Sequence, residues 1–290
     1  MDSYSESINN STNGAQSFLM GSGALSQLLL TLVLALILYI LMMTLESMYI
    51  LWSKAEGSRV DVFPYRANAQ NNVETIAQNP AITSAITLSP SMNERTGIEF
   101  SYSFFLLLNS NGFSAPGTGG TATLKHVFHK GYSKMYPLMS PGVFVHSNEN
   151  KLRVYVNSTK KILNFVDVPN VPVNKWVHVV LSARKNALEV YINGNIIKKL
   201  SVDGVLMQNY QDVILFSQRA GVRLGEGADA LQVTGSFNGD LASLTYFSYA
   251  ISYSEIQGLN AVGPSKETKK GGMADVATPY LVDNWWTSGQ

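Results

Sequence analysis

No cysteine occurs among the 290 residues. That excludes disulfides, thiolate nucleophiles and cysteine-ligated zinc, and it leans toward a domain folded in a reducing compartment. Charge is also sparse. Only 14% of residues are Asp, Glu, Lys or Arg, and the formal net charge is +1. Without a basic stripe to neutralise phosphates, nucleic acid is not an expected partner. The carboxylates are few and scattered. A retaining glycosidase needs two of them about 5–5.5 Å apart. No Glu-x-Asp-x-Glu or Glu-x-Asp-x-x-Glu run exists, and Glu189 and Asp240 stand alone on their segments. Gly117, Gly119 and Gly120 lack the Lys-Ser/Thr that completes a phosphate loop. The chain reads as a non-enzyme with no catalytic residue and no required cofactor.

One long apolar run is present. Residues Leu28 to Leu45, LLLTLVLALILYILMMTL, hold no charge, glycine or proline. About 20 such residues cross the hydrocarbon core as a helix, which satisfies its own backbone hydrogen bonds in lipid. The expectation is a transmembrane helix with its interfacial belt over 24–52 and the lipid bilayer as a partner. A cleaved signal peptide fits less well, since no basic residue precedes the run and no small-residue cleavage site follows it. Glu46 reads as a headgroup-level carboxylate with Tyr49 and Trp52 as belt aromatics. Lys54, Arg59 and Arg66 follow the run and none precedes it, so the large C-terminal part is expected on the cytosolic side. The sequons at Asn9, Asn10 and Asn157 decide nothing.

Around the run, residues 1–23 read as a flexible polar tail and 53–95 as a membrane-proximal stalk. Residues 96–262 carry short apolar segments separated by turn residues, as an all-β sandwich requires. Residues 263–290 read as a linker and tail. Strands are expected over 98–108, 124–129, 142–146, 152–157, 176–183, 187–192, 196–200, 213–216, 222–224 and 241–248, with no helix of comparable length among them. One hairpin is sharply specified: Leu188, Val190 and Ile192 share a face, and Asn193-Gly194 supplies the two positive-φ residues of a type I′ turn.

Two stretches then carry a resemblance. Asn174-Lys175-Trp176-Val177-His178-Val179-Val180-Leu181 followed by Leu188 to Gly194 is similar to the "W-x-H-V-A … L-x-L-Y-V-N-G" hairpin of the laminin-G-like, pentraxin-like and lectin-like jelly rolls of the concanavalin A superfamily. Phe237-Asn238-Gly239-Asp240-Leu241, through Tyr246-Phe247 to Ile256, resembles that family's closing strand and following turn. The resemblance spans roughly 97–260. It implies an all-β fold, a concanavalin A-like antiparallel β-sandwich (jelly roll) preceded by one transmembrane α-helix. Where the family often has an aspartate in the closing strand, this chain has Ala242.

The resemblance makes calcium at the sandwich rim a minor possibility, with Glu226 and Asp229 as its candidates. His126 and His129, three apart in a strand, point to opposite faces and cannot share a metal unless a bulge intervenes. His178 is similar to a structural histidine of the family. The adjacent Trp285 and Trp286 suggest a partner-binding anchor or a segment that docks back on the sandwich. The functional expectation is a membrane-anchored structural or assembly protein whose sandwich binds other structural proteins. By fold-level analogy these could be capsid proteins, with the chain a minor capsid protein tying an inner virion membrane to the shell of a large DNA virus. A glycan-binding, lectin-like module is the alternative.

Overall fold

The computed structural model describes residues 24–70, 73–91, 98–113, 123–225 and 227–268. The chain divides into two compact units, Met1–Gly57 and Ser58–Gln290.

In the first unit, α1 (Ala24–Ser58) contains an apolar stretch, Ser26–Met48, with mean hydropathy 2.8 and exposed side chains from Gln27 to Met48. It is long and apolar enough to cross a membrane. Thr31 and Thr44 donate their hydroxyls to the Leu28 and Leu41 carbonyls, which satisfies these two protons within the helix. The helix continues past the expected limit of 52, because no glycine or proline interrupts it before Gly57.

The second unit is a two-sheet sandwich of fourteen strands among the described residues. They are β1 (Arg59–Asn68), β2 (Glu74–Ile76), β3 (Glu99–Leu108), β4 (Thr123–Gly131), β5 (Met139–His146), β6 (Leu152–Val156), β7 (Asn164–Val168), β8 (Trp176–Arg184), β9 (Ala187–Ile192), β10 (Asn195–Ser201), β11 (Val213–Leu215), β12 (Ala220–Leu224), β13 (Leu231–Ser236) and β14 (Gly239–Phe247). The first sheet runs β1-β14-β3-β8-β9-β10 and is antiparallel throughout. The second runs β12-β13-β4-β5-β6-β7, with β11 pairing the far half of β4 and β2 added outside it. Only β13 on β4 is parallel within it.

Strict alternation builds the core. On β3, Phe100, Tyr102, Phe104, Leu106 and Leu108 point inward; on β8, Val177, Val179, Leu181 and Ala183 meet them from the same sheet. Val143, Val145, Leu152, Val154 and Val156 close the core from the opposite sheet. Asn193 and Gly194 take φ of 48° and 83°, as the type I′ turn needs.

The stretch expected as a stalk is largely part of the sandwich. Strand β1 lies on the outer side of β14 and buries Val62, Phe63 and Ala67, absorbing Pro64 through two register shifts. Beyond β2, Gln78 closes the next loop, donating to the Ile86 carbonyl and accepting from the Leu88 amide.

A helix was also not expected after the closing strand, yet α2 (Tyr253–Val262) is present. Ser252 caps it, accepting from the Glu255 amide, while the Glu255 carboxylate receives the Ser252 amide at 2.7 Å. Its inner side sets Ile256 and Leu259, with Ile251, on the outer face of the first sheet against Val180 and Phe247. The second sheet is covered too. Phe144 and Tyr155, which point away from the main core, are buried under Met135, Met139, Leu163, Leu224 and Val233.

Candidate functional site

The covering of both outer faces determines what remains open. Between α2 and the outer face of the first sheet lies a groove of about 510 Å³. Its apolar lining is Pro64, Phe105, Phe247, Leu259 and Val262; its polar lining includes Arg59, Asp61, Ser103, Ser243, Thr245 and Glu255. These polar side chains are already engaged within the protein. Thr245 donates to Asp61 at 2.9 Å, Asp61 also lies 3.5 Å from Arg59, and Ser243 accepts from the Ser265 amide at 2.9 Å. Glu255 holds the helix cap and accepts from Tyr249 at 2.7 Å. Ser103 Oγ meets His178 Nε2 at 2.8 Å.

That Ser103–His178 pair is a partnership the sequence could not reveal, because it joins β3 to β8 across the sheet. It resembles the start of a catalytic triad without its third member. Among the described residues His178 Nδ1 has no hydrogen-bond partner, and no carboxylate orients the ring. Phe105 stacks on it at 4.7 Å, and burial lowers its pKa to about 4, which weakens it as a base near neutral pH.

His126 and His129 do come together. Register shifts in the β4–β5 pairing supply the bulge that bare alternation lacks, and the rings meet at 2.7 Å, Nε2 to Nδ1. The Ser217 amide donates to His126 Nδ1 at 3.0 Å, which fixes that ring's proton on Nε2. His126 then donates to His129, whose own Nε2–H donates to the Tyr132 carbonyl at 3.0 Å. All four ring nitrogens are engaged, so no lone pair is left for a metal. Burial, reinforced by its partner, lowers the His126 pKa well below the usual value, and burial takes His129 down to about 4.

On the outer face of the second sheet, Arg153 clasps Asp167 through two bonds of 2.7 and 2.6 Å and stacks over Phe165 at 4.1 Å. His146 Nε2 lies 3.5 Å from the same carboxylate. Although burial alone raises the Asp167 pKa, the Arg153 guanidinium holds it well below the carboxylate range. Arg153 also donates to the Asp229 carbonyl at 3.1 Å. Above this network opens a basin of about 480 Å³ lined by Tyr136, Lys160, Lys161, Phe165, Arg223 and Asp229, among others.

Of the two calcium candidates, Glu226 lies outside the described residues. Asp229 faces a basin with three cationic side chains, an environment that repels a divalent cation. Among the described residues no group of three metal-binding side chains forms. Asp240 is taken by Arg66 at 2.6 Å and Asn68 at 2.7 Å. Glu189 is taken by Lys199 and Tyr191. The Asn157 sequon is buried, its amide donating to the Pro137 and Ile162 carbonyls, which leaves it closed to a glycosylating enzyme in the folded state. Trp285 and Trp286 lie outside the described residues, as do the side chains of Tyr49 and Trp52.

Several solved structures are similar to this chain. The receptor-binding domain of botulinum neurotoxin mosaic serotype C/D is 9% identical, with a TM-score of 0.45 over 70% of this chain and 45% of its own. The binding domain of Paraclostridial mosquitocidal protein 1 is 15% identical, with a TM-score of 0.42 over 67% of this chain and 42% of its own. The botulinum neurotoxin serotype D ligand-binding domain, solved in complex with N-acetylneuraminic acid, is 12% identical, with a TM-score of 0.43 over 71% and 51% respectively. The chain thus spans about half the length of each of these chains or less. No curated protein matches it. A family model does, over residues 83–257, covering β3 through the first turn of α2. With the paired sheets, the Asn193-Gly194 hairpin and the closing strand in place, the chain belongs to the concanavalin A-like lectin/glucanases superfamily.

Proposed function

We propose that the chain is a membrane-tethered, non-enzymatic module that binds a partner protein through the groove beside α2. The observation that carries this reading is the state of the groove's polar lining. A sugar chain is bound by polar groups that exchange water for ligand hydroxyls, and a site whose hydroxyls and carboxylates are already bonded internally has few to offer. What the groove presents is apolar: Phe105, Phe247, Leu259, Val262 and Pro64. Such a surface suits aliphatic or aromatic side chains of a protein segment. On the outer face of the second sheet, the part over Phe144 and Tyr155 is covered by the chain's own Met135, Met139, Leu163, Leu224 and Val233.

A photo-reactive residue at Val262, which is 84% exposed, should crosslink the full chain in its native membrane to a protein of discrete mass. Leu259→Asp should reduce that adduct about tenfold, because an unpaired carboxylate against apolar surface costs upwards of ~1.4 kcal/mol. A reproducible glycan-array signal with no protein adduct would reverse the assignment in favour of a lectin-like module.

The apolar stretch of α1 supports an anchor, and Lys54, Arg59 and Arg66 support a cytosolic sandwich. Removing residues 28–45 should move the protein from the membrane to the soluble fraction, and protease added to sealed membranes should leave the sandwich intact. Persistent membrane association without 28–45 would assign the tether elsewhere. Attachment of an inner virion membrane to a capsid shell is one setting for such a module, and mass spectrometry of purified virions tests it.

A further inference from the structure

The basin on the second sheet is chemically unlike the groove. Among the described residues it gathers Lys160, Lys161 and Arg223 with one carboxylate, Asp229, beside the rings of Tyr136 and Phe165. The ion pairs among the described residues engage Arg59, Arg66, Arg153, Lys151 and Lys199, and none of the three basin cations. We propose that this basin binds a phosphate or sulfate ester carried on a hydroxylated ring.

Three features support that ligand class. Three cations gathered around a concavity produce a local positive potential that attracts an oxyanion. Arginine and lysine both bond phosphate- or sulfate-type oxygens, arginine in bidentate fashion. Asp229 can accept a hydroxyl from the same ligand, and the aromatic rings offer a face for the ring's C–H groups.

The walls are also held in place before any ligand arrives. The turn bearing Lys160 and Lys161 is closed by the Ser158 amide on the Lys161 carbonyl at 3.0 Å and by the Lys161 amide on Ser158 Oγ at 3.1 Å. Asn164 donates to that carbonyl as well, at 3.1 Å. Asn157 ties this turn to the segment bearing Tyr136 through the Pro137 carbonyl at 3.1 Å. From beneath, the buried Arg153 braces Phe165 and the Asp229 backbone together. A site ordered in advance loses less entropy on binding.

The test uses the full chain in detergent at physiological salt, titrated with inositol trisphosphate and, separately, with a sulfated disaccharide; unphosphorylated inositol is the neutral control. Saturable binding of either ester is expected, weakening as salt rises. Lys160→Glu combined with Arg223→Glu should lower the affinity at least tenfold, and both side chains are exposed, so the fold is retained; near-UV circular dichroism checks this. Which probe binds distinguishes a phosphate-bearing source, such as a lipid headgroup, from a sulfated glycan. Failure of both probes at millimolar concentration overturns the site. So does binding that survives the double charge reversal, or equal binding of neutral inositol. None of these outcomes depends on the groove beside α2.

Discussion

Taking the protein from about pH 7 to about pH 4 should remove a large part of the sandwich's folding stability. His129 and His178 both have their pKa lowered from 6.5 to about 4, chiefly by burial. A folded pKa below the unfolded one means that the unfolded chain binds the protons first. Stability is therefore complete above about pH 6.5 and is lost progressively as pH falls toward 4. A difference of roughly 2.5 units, at 1.36 kcal/mol per unit, comes to about 3 kcal/mol for each site.

His126 adds to the same step rather than supplying another. Protonating either ring of the 126–129 pair places a second donor where an acceptor is required, so the pair titrates as a unit. The pair and His178 together amount to ~6 kcal/mol, comparable with the ~5–15 kcal/mol of a typical domain. Asp167 stays charged through this window, because Arg153 holds its pKa well below the carboxylate range. Denaturant midpoints of the detergent-solubilised chain should accordingly fall steeply over this interval. In His178→Gln about half of that slope should disappear. A midpoint constant from pH 7 to pH 4.5 would show that these rings are not buried neutral.

The same histidines mark where the sequence stopped being readable. Alternation located β3, β8 and β9 closely, and Asn193-Gly194 fixed the hairpin from β9 to β10, because each of those signals is local. The joining of His126 to His129 depends on a bulge set by pairing with β5, and no residue type in β4 announces it. Strand β1 was hidden for a similar reason: its two register shifts break the alternation around Pro64. Strand β13 contains Gly235 and takes a parallel partner, which weakens its pattern.

Two misses had local signals available. In β7 (Asn164–Val168), Val166 and Val168 alternate with Phe165 and Asp167. Ser252 and Glu255, three apart ahead of Ile256, form the capping box that begins α2. That helix creates the groove, so overlooking it concealed the candidate site. The basin was half visible, since Asp229 was noted as an acidic candidate. The cations around it arrive from the β6–β7 turn and from β12, far apart in sequence, so only the fold brings them together.

Replacing Arg153 is the substitution expected to cost most. Its guanidinium is buried, holds both Asp167 oxygens, stacks on Phe165 and bonds the Asp229 carbonyl. Arg153→Met keeps a long apolar side chain over Phe165 but leaves the Asp167 carboxylate half-covered and the Asp229 carbonyl without its donor. Breaking one partner of a fully buried pair costs about 3–5 kcal/mol. Asp167 is 27% exposed, which lets water compensate in part and sets the expectation near ~3 kcal/mol. Asp167→Asn should cost less, since an amide can still accept from the guanidinium. If the pair is the source, the double variant will be less destabilised than the two single changes together, with a coupling of about 2 kcal/mol. A coupling below about 0.5 kcal/mol would instead assign the loss to the Asp229 bond and the Phe165 stack. In that case Arg153→Met should also weaken oxyanion binding in the basin, because the Asp229 backbone is held through the same guanidinium.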